Sequence, residues 1–150
     1  MNLLMKLLKI KIKKLHPNFH LPTYAHDGDA GMDLYCIEPI EVLPGERKKI
    51  PFGCSLEIPN GFLGAIAPRS GLAHKFGIGL VNSWGVIDSS YRGEISAIIV
   101  NMGKEKVLLP LHTRIAQLLV IPIYKLNLSL VEENLNETDR GGNGFGSSGL

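Results

Sequence analysis

The stretch of residues 48–67, KKIPFGCSLEIPNGFLGAIA, decides the fold of this 150-residue chain. It contains two apolar runs, at residues 48–58 and 62–67, separated by the turn signal Pro-Asn-Gly. Short runs rich in Ile, Phe and Leu between such breakers are typical of β-strands. Further runs of this kind lie at residues 10–15, 32–36, 77–81, 94–101, 106–111 and 115–124. Many short strands at this spacing predict an all-β domain, built as a sandwich, jelly roll or barrel.

Only one helix is predicted in this pattern. Residues 70–75 are expected to form a turn or two of helix, with Ser70 as the N-cap. The lack of longer helices argues against a parallel α/β architecture.

Composition and charge indicate a single globular domain. Hydrophobic residues make up 45% of the chain and charged residues 20%, which excludes a disordered chain. The mean hydropathy is slightly positive, at +0.12. We favour apolar surface covered by neighbouring subunits over an unusually well-filled core as its cause. The net charge of +2 is too small for general nucleic-acid binding, so we expect no nucleic-acid partner.

The N-terminal lysines have a structural explanation. They alternate with apolar residues at the period of two that is typical of a half-solvated strand, and lysines on an edge strand discourage aggregation between sheets. The cluster comprises Lys6, Lys9, Lys11, Lys13 and Lys14.

Cysteine usage and the lack of targeting signals predict a cytoplasmic protein. Cys36 and Cys54 lie in separate strand-like segments without metal-ligand spacing, so we expect two buried, reduced thiols. Residues 1–8 are apolar but short, and they lack the small-residue cleavage site of a signal peptide. No apolar run approaches the length that crosses a bilayer, so we expect no membrane association.

The character of the chain changes at residue 134. Residues 1–133 are expected to form the β domain, whereas residues 134–150 are polar and rich in glycine and include RGGNGFGSSG from Arg140. This composition is typical of a flexible tail. An ordering lid is the alternative, because glycine backbone can approach phosphates closely and the ring of Phe145 can stack on a base.

Four further segments contain residue types that perform chemistry. Taken singly, each has a structural explanation: Asp and Gly supply turn geometry, and a lone Arg is often a surface charge. In the third segment we expect two strands joined by a tight hairpin that carries Asp88 and Tyr91. The segments are AHDGDAGMDL at residues 25–34, APRSGL at 67–72, NSWGVIDSSYRG at 82–93 and RIAQL at 114–118.

Taken together and in this order, the four segments and the glycine-rich tail resemble the five motifs of the trimeric deoxyuridine triphosphatase family. The resemblance covers residues 25–149. It implies a jelly-roll-like β domain, a homotrimer with active sites at subunit interfaces, and a C-terminal arm that closes over the site. It also implies hydrolysis of dUTP to dUMP and pyrophosphate, which limits uracil incorporation into DNA and supplies dUMP for thymidylate synthesis.

Within this resemblance, the third segment recognises the nucleoside. Asn82 and backbone groups near Val86 and Ile87 would hydrogen-bond the uracil edge, and a wrong pyrimidine would leave buried polar groups unpaired. Tyr91 would lie against the deoxyribose and exclude a 2′-hydroxyl. Asp88 would be the general base that orients and deprotonates the water attacking the α-phosphorus.

The remaining segments would manage the charge of the triphosphate. Arg69, Ser70 and Gly71 resemble the phosphate-binding segment of the family, and Gln117 resembles a residue that contacts phosphate near the α position. The family uses Mg²⁺, and Asp33 resembles the carboxylate that supports this metal through water. In the tail, Arg140 would bind the terminal phosphate.

Further along the tail, an aromatic residue and its neighbouring glycines would complete the site over the base. Phe145 would stack on the uracil, and Gly146, with Gly144, would let the backbone wrap the phosphates.

Two other functions remain as alternatives. The related dCTP deaminases share the fold but need a glutamate beside the pyrimidine, at the position that we align with Ile98; an isoleucine cannot transfer protons. A jelly-roll interaction module without activity is the non-enzyme alternative, and the joint presence of Arg69, Asp88, Tyr91 and Phe145 argues against it.

Overall fold

A computed structural model of the protein describes residues 7–144, and in this range it is built almost entirely of short strands. Most of the strands, and the one helix, begin or end close to a proline, glycine or asparagine in the sequence. The elements are β1 Lys11–Lys14, β2 Met32–Tyr35, β3 Ile40–Val42, β4 Arg47–Pro51, β5 Cys54–Glu57, β6 Phe62–Pro68, α1 Ser70–Phe76, β7 Ile78–Leu80, β8 Gly85–Ile87, β9 Ser96–Asn101, β10 Val107–Leu109 and β11 Arg114–Pro122.

The strands form antiparallel sheets. A four-stranded sheet has the order β2-β11-β6-β8, and a three-stranded sheet has the order β4-β9-β7. Two strand pairs, β1-β5 and β3-β10, complete the architecture. The predicted all-β class is therefore confirmed.

One apolar core holds these sheets together. Along β9, residues alternate between buried and more exposed, as expected for a strand with one face in the core. Burial of a large aliphatic or aromatic side chain contributes about 1.5–3 kcal/mol. The largest fully buried apolar side chains are Phe52, Leu34, Ile58, Ile66, Ile95, Ile99 and Ile115.

The predicted strand at residues 48–58 is two strands. Gly53 has a φ of +70°, and a Cβ at this position would lie 2.9 Å from the Cβ of His16. Only glycine fits this left-handed, crowded position, so the chain turns there and β4 and β5 enter different sheets. The short strands β3 and β8 were not predicted, because three residues carry too little periodicity to detect.

The helix α1 begins as predicted, but its cap differs. Arg69 is the N-cap residue and makes no side-chain capping bond, so the prediction of Ser70 as N-cap is wrong. Ser70 is the first helical residue. The helix ends at Gly77, whose φ of +68° fits a left-handed C-terminal cap.

The predicted hairpin in the third segment is right in its strand pairing but wrong in its tight connection. β7 and β9, on either side of the segment, are antiparallel neighbours with Ile78 opposite Asn101, but β8 lies between them in the chain. β8 pairs with β6, whereas β9 pairs with β4 and β7, so the chain crosses from one sheet to another between them. Gly85 of β8 is paired with Ile66 of β6, and a Cβ added at Gly85 would lie in ordinary contact with the Cβ of Ile66 at 3.4 Å.

The two cysteines are free and buried, as predicted. Burial, with a smaller contribution from the charge of Glu94, raises the pKa of Cys54 to about 12. Burial also raises the pKa of Cys36. Both thiols are therefore protonated at neutral pH.

After β11 the chain continues without regular structure. Residues 123–144 contain neither helix nor strand, and their side chains are exposed apart from Gly144. The boundary at residue 134 between domain and arm stays a prediction. No helix among the described residues is long and apolar enough to cross a membrane.

Candidate active site

A cleft of about 360 Å³ lies between β8, the turn of residues 88–91 and the outer face of β9. We call it the front cleft. The predicted nucleoside-binding residues all line it: Asn82, Val86, Ile87, Asp88 and Tyr91. A cleft of this size is within the range of small-molecule sites.

The edge of β8 gives the front cleft polar backbone groups. β8 is the last strand of its sheet and pairs with β6 on one side only, so the groups on its other side have no strand partner among the described residues. Unpaired N–H and C=O groups of an edge strand are available to a ligand. Val86 is half exposed in the middle of this strand, whereas the Ile87 side chain is buried in the core.

A tight turn holds Asp88 at the end of β8. The backbone N–H of Tyr91 donates to the carbonyl of Asp88 at 3.0 Å. The Nη1 of Arg92 donates to the carbonyls of Ser89 at 2.7 Å and Tyr91 at 2.9 Å, which fixes the turn from outside. Within residues 7–144 no group donates a hydrogen bond to the carboxylate of Asp88, and the residue is exposed. This carboxylate is therefore free to accept hydrogen bonds from water or a ligand.

Tyr91 has a fixed ring position. Its hydroxyl donates to the carbonyl of Glu94 at 3.0 Å. The ring lies directly over Gly93, where an added Cβ would overlap the ring atoms. Glycine at this position allows the close approach of ring to backbone.

A second group of predicted residues lies around the buried carboxylate of Asp33. Its Oδ1 is 3.0 Å from the Nε of Arg69, and its Oδ2 is 3.3 Å from the Nη1 of Arg114. We call these three residues the arginine cluster. It arises because Asp33 is on β2, Arg114 on the adjacent β11 and Arg69 just after β6, the next strand. Two guanidinium groups around one carboxylate leave the cluster with an excess positive charge.

Gln117 lies beside this cluster. It is paired with Asp33 on β2 and with Ala67 on β6, and its Nε2 donates to the carbonyl of Pro68 at 3.1 Å. A Cβ at Gly31 would meet the Oε1 of Gln117 at 2.6 Å, so glycine there leaves room for the amide.

Ser70 and Gly71 form the exposed start of α1. A Cβ added at Gly71 would meet no atom within 4 Å. Packing within the chain therefore does not require glycine at this position. Close approach of a ligand or a neighbouring subunit would be a reason for glycine here.

The structure of one chain does not bring all predicted residues into one pocket. The lining of the front cleft includes none of Asp33, Arg69, Ser70 or Gln117. Arg140, exposed in the C-terminal segment, donates from Nε to the carbonyl of Asn143 at 3.0 Å. Phe145 and Gly146 lie outside the described residues.

Sequence reasoning assigned no role to Arg114 or Glu94. Arg114 and Arg69 both pair with Asp33. The contact of Arg114 follows from the register of β2 against β11, which the sequence alone does not give. Glu94 lines the front cleft, and its Oε1 accepts a hydrogen bond from the N–H of Gly53 at 3.1 Å. No pattern in the sequence indicates that contact.

The fold and these two groups of residues define a class of protein. It is an all-β protein whose front cleft presents a free carboxylate and whose arginine cluster is suited to binding phosphates. The family follows from comparison. A family model described as dUTPase matches residues 17–149, so the chain belongs to the dUTPase family.

Individual relatives agree with this assignment. The chain is 50% identical over 133 residues to the deoxyuridine 5′-triphosphate nucleotidohydrolase of Anaeromyxobacter sp. (strain Fw109-5), covering 89% of this chain and 90% of that one. It is 47% identical over 148 residues to the enzyme of that name from Syntrophotalea carbinolica, covering 97% and 100%. A solved dUTPase of Staphylococcus bacteriophage 80alpha with dUpNHpp is 30% identical, with a TM-score of 0.84 over 95% of this chain and 99% of that chain.

Proposed function

We propose that this protein hydrolyses dUTP to dUMP and pyrophosphate, and so limits uracil incorporation into DNA and supplies dUMP for thymidylate synthesis. The observation that carries the proposal is the free carboxylate of Asp88, held by a tight turn in the front cleft beside the open edge of β8. The names of the relatives support the substrate.

The front cleft selects the nucleoside. Asn82 and the backbone of Val86 and Ile87 hydrogen-bond the uracil edge, because the edge of β8 is the polar surface that the cleft offers. A pocket with such groups rejects cytosine strongly, since the wrong pattern leaves them unpaired. Tyr91, anchored on Gly93 and Glu94, forms a wall against the deoxyribose that a 2′-hydroxyl would strike.

Asp88 acts as the general base. Its carboxylate accepts the proton of a water that attacks the α-phosphorus, and the pyrophosphate leaves from the opposite side of that phosphorus. Because no described residue occupies the carboxylate oxygens, they can both orient the water and take its proton.

The arginine cluster and α1 receive the triphosphate. Arg69 is held by Asp33 through Nε and by the carbonyl of Arg114 through Nη1, which leaves Nη2 of its planar guanidinium to bind phosphate oxygens. Ser70 and Gly71 supply a hydroxyl and a close-approaching backbone, and Gln117 supplies an amide near the α-phosphate. The excess positive charge stabilises the leaving group as its negative charge grows.

Mg²⁺ fits this site only if most of its ligands come from the substrate and water instead of from protein side chains. Among residues 7–144, no group of three or more His, Cys, Asp and Glu side chains is placed to hold a metal ion. Both oxygens of Asp33 already pair with arginines, although a carboxylate has further lone pairs for a water-mediated contact. When bound, Mg²⁺ neutralises charge on the phosphate oxygens, with Asp33 as its water-mediated support.

We further propose a homotrimer whose interfaces complete the site. The separation of the front cleft from the arginine cluster in one chain supports sites built from two subunits. A row of exposed apolar side chains after β11 supports burial against a neighbour, since such rows rarely stay exposed to solvent. The row is Tyr124, Leu126, Leu128 and Leu130, which are 80% to 98% exposed.

The C-terminal residues close this shared site. Arg140 binds the terminal phosphate, and Phe145 with Gly146 covers the base. Ordering the arm costs conformational entropy that contacts with the bound substrate offset. Two protonated, buried thiols suit the reducing cytoplasm, where we place the protein.

Pyrophosphate release from dUTP, dCTP, dTTP and UTP, each with and without Mg²⁺, tests the proposal. We expect release from dUTP with Mg²⁺ and little from the other three. Ammonia release from dCTP would contradict it and favour deamination. Two features of the cleft argue against that outcome. Ile98, which we align with the deaminase glutamate, lines it, and Glu94 accepts a hydrogen bond from Gly53.

A further inference from the structure

A second cleft, of about 690 Å³, borders the turn that carries Asp88. Residues of this turn divide between the two clefts: Asp88 and Tyr91 line the front cleft, whereas Ser89 and Ser90 line the second. The residue that follows Tyr91, Arg92, also lines the second cleft. The proposed reaction uses nothing in it. We call it the basic cleft.

Its charge is strongly one-sided. Four cationic side chains and one carboxylate line the basic cleft, an excess of three positive charges in a chain whose total net charge is +2. The carboxylate, Glu57, pairs with Lys11 at 3.2 Å. Among the residues that the structure describes, Lys9, Arg92 and Lys125 have no carboxylate within ion-pair distance. A concave surface of one charge sign attracts ligands of the opposite sign.

One of these cations is held in a fixed orientation. The Nη1 of Arg92 donates to two carbonyls of the turn, so the guanidinium plane is set before any ligand arrives. Its Nε and Nη2 have no acceptor among residues 7–144 and remain as donors. The hydroxyls of Ser89 and Ser90 and the amide nitrogen of Asn60 add neutral donors to the same cleft. Fixed guanidinium donors surrounded by lysines are typical of phosphate recognition.

We propose that the basic cleft is a binding site for an anion with two linked phosphoryl groups, separate from the front cleft. One phosphoryl group carries about −1.5 to −2 charges at pH 7, so two groups match the excess of three positive charges better than one does. Lys9 and Lys125 neutralise the anion, and Arg92 orients it. Arg92 also donates to the carbonyls of Ser89 and Tyr91. The bound anion therefore contacts the side chain that holds the turn of Asp88 in place.

Calorimetric titration of the full chain with inorganic pyrophosphate tests the proposal. The front cleft is first saturated with a nonhydrolysable dUTP analogue, and Mg²⁺ is left out so that it does not compete for pyrophosphate. We expect one pyrophosphate to bind per chain in addition to the analogue, with an affinity that falls as the salt concentration is raised. In the double variant Lys9→Gln with Lys125→Gln, we expect this affinity to fall about tenfold, as the loss of two exposed charge pairs predicts.

A matched variant separates a site from general charge attraction. Lys13 and Lys104 are exposed lysines outside the basic cleft, so Lys13→Gln with Lys104→Gln removes the same charge elsewhere. We expect this control to bind pyrophosphate like the wild type. Equal weakening in both double variants, or the absence of a further pyrophosphate once the analogue is bound, would overturn the proposal. Neither result would bear on dUTP hydrolysis, which is measured separately.

Discussion

Gly93→Ala offers a direct test of how the front cleft distinguishes deoxyribose from ribose. A Cβ at this position would overlap the hydroxyl and ring carbons of Tyr91, so the ring has to rotate away from the backbone. The φ of Gly93 is not in the left-handed region, so alanine itself causes no backbone strain there. The change therefore displaces the wall against the sugar without altering any group that takes part in the reaction.

The structure sets the size of the effect. Rotation breaks the 3.0 Å hydrogen bond from the Tyr91 hydroxyl to the carbonyl of Glu94, which contributes about 0.5–1.5 kcal/mol. Because Tyr91 is already 45% exposed, loss of its contacts adds little to this cost. If the same energy held the wall against a 2′-hydroxyl, the preference for dUTP over UTP would fall about tenfold, the equivalent of about 1.4 kcal/mol.

The assay compares kcat/KM for dUTP and UTP in the wild type, Gly93→Ala and Tyr91→Phe. Tyr91→Phe removes the hydroxyl but leaves space for the ring over Gly93, so we expect a loss of about 1 kcal/mol in stability and a smaller loss of sugar preference than in Gly93→Ala. If Gly93→Ala kept the wild-type preference, the position of the Tyr91 ring would not be what excludes ribose.

Three further predictions concern the other parts of the site. Asp88→Asn should lower pyrophosphate release about 10²- to 10⁴-fold, the range for loss of a general base, while binding of a nonhydrolysable analogue stays near the wild-type value; normal turnover would refute the role of this base. Asp33→Asn should lower the free energy of unfolding by about 1–3 kcal/mol in urea titrations, because two guanidinium groups lose their partner. The exposed pair of Glu41 with Lys106 is the comparison, and Glu41→Gln should cost at most about 1 kcal/mol; an equal loss in both would mean that the cluster is no more than a surface pair. Deletion of residues 139–150 should reduce turnover far more than it changes the melting temperature, since the part of this segment that the structure describes is largely exposed; a large drop in melting temperature would show a structural arm instead.

Sequence reasoning was most successful where a pattern is long or a residue type is distinctive. Apolar runs between Pro, Asn and Gly were enough to predict the all-β class. The residues that the family motifs assign to the nucleoside all line one cleft, although their roles stay predictions. The failures have local causes. A strand of three residues, such as β8, has no detectable period, and the break at Gly53 depends on its contact with His16, which lies far away in the chain.

The arrangement of the phosphate-binding residues was less accessible. The sharing of Asp33 between Arg69 and Arg114 depends on which strands are neighbours and in what register, and neither follows from residue spacing. The same limit explains why the strand β8, inserted between the paired strands β7 and β9, was missed and a tight hairpin was expected instead. A turn can be recognised from Asp88 to Tyr91, but the partners of the strands on either side are set by the whole sheet.

The shared carboxylate of Asp33 has a consequence for how the sequence of this protein can diverge. Arg69 and Arg114 come from different motifs, yet each changes the electrostatic setting of the other through one acid. Substitutions in these motifs should therefore be epistatic, with double-mutant energies that depart from the sum of the single ones. Loss of one arginine would do little harm in a chain that has already lost Asp33. The same loss would be harmful while Asp33 is still present. The order in which mutations arise, and not their identity alone, would then decide which descendants of this chain keep a working phosphate site.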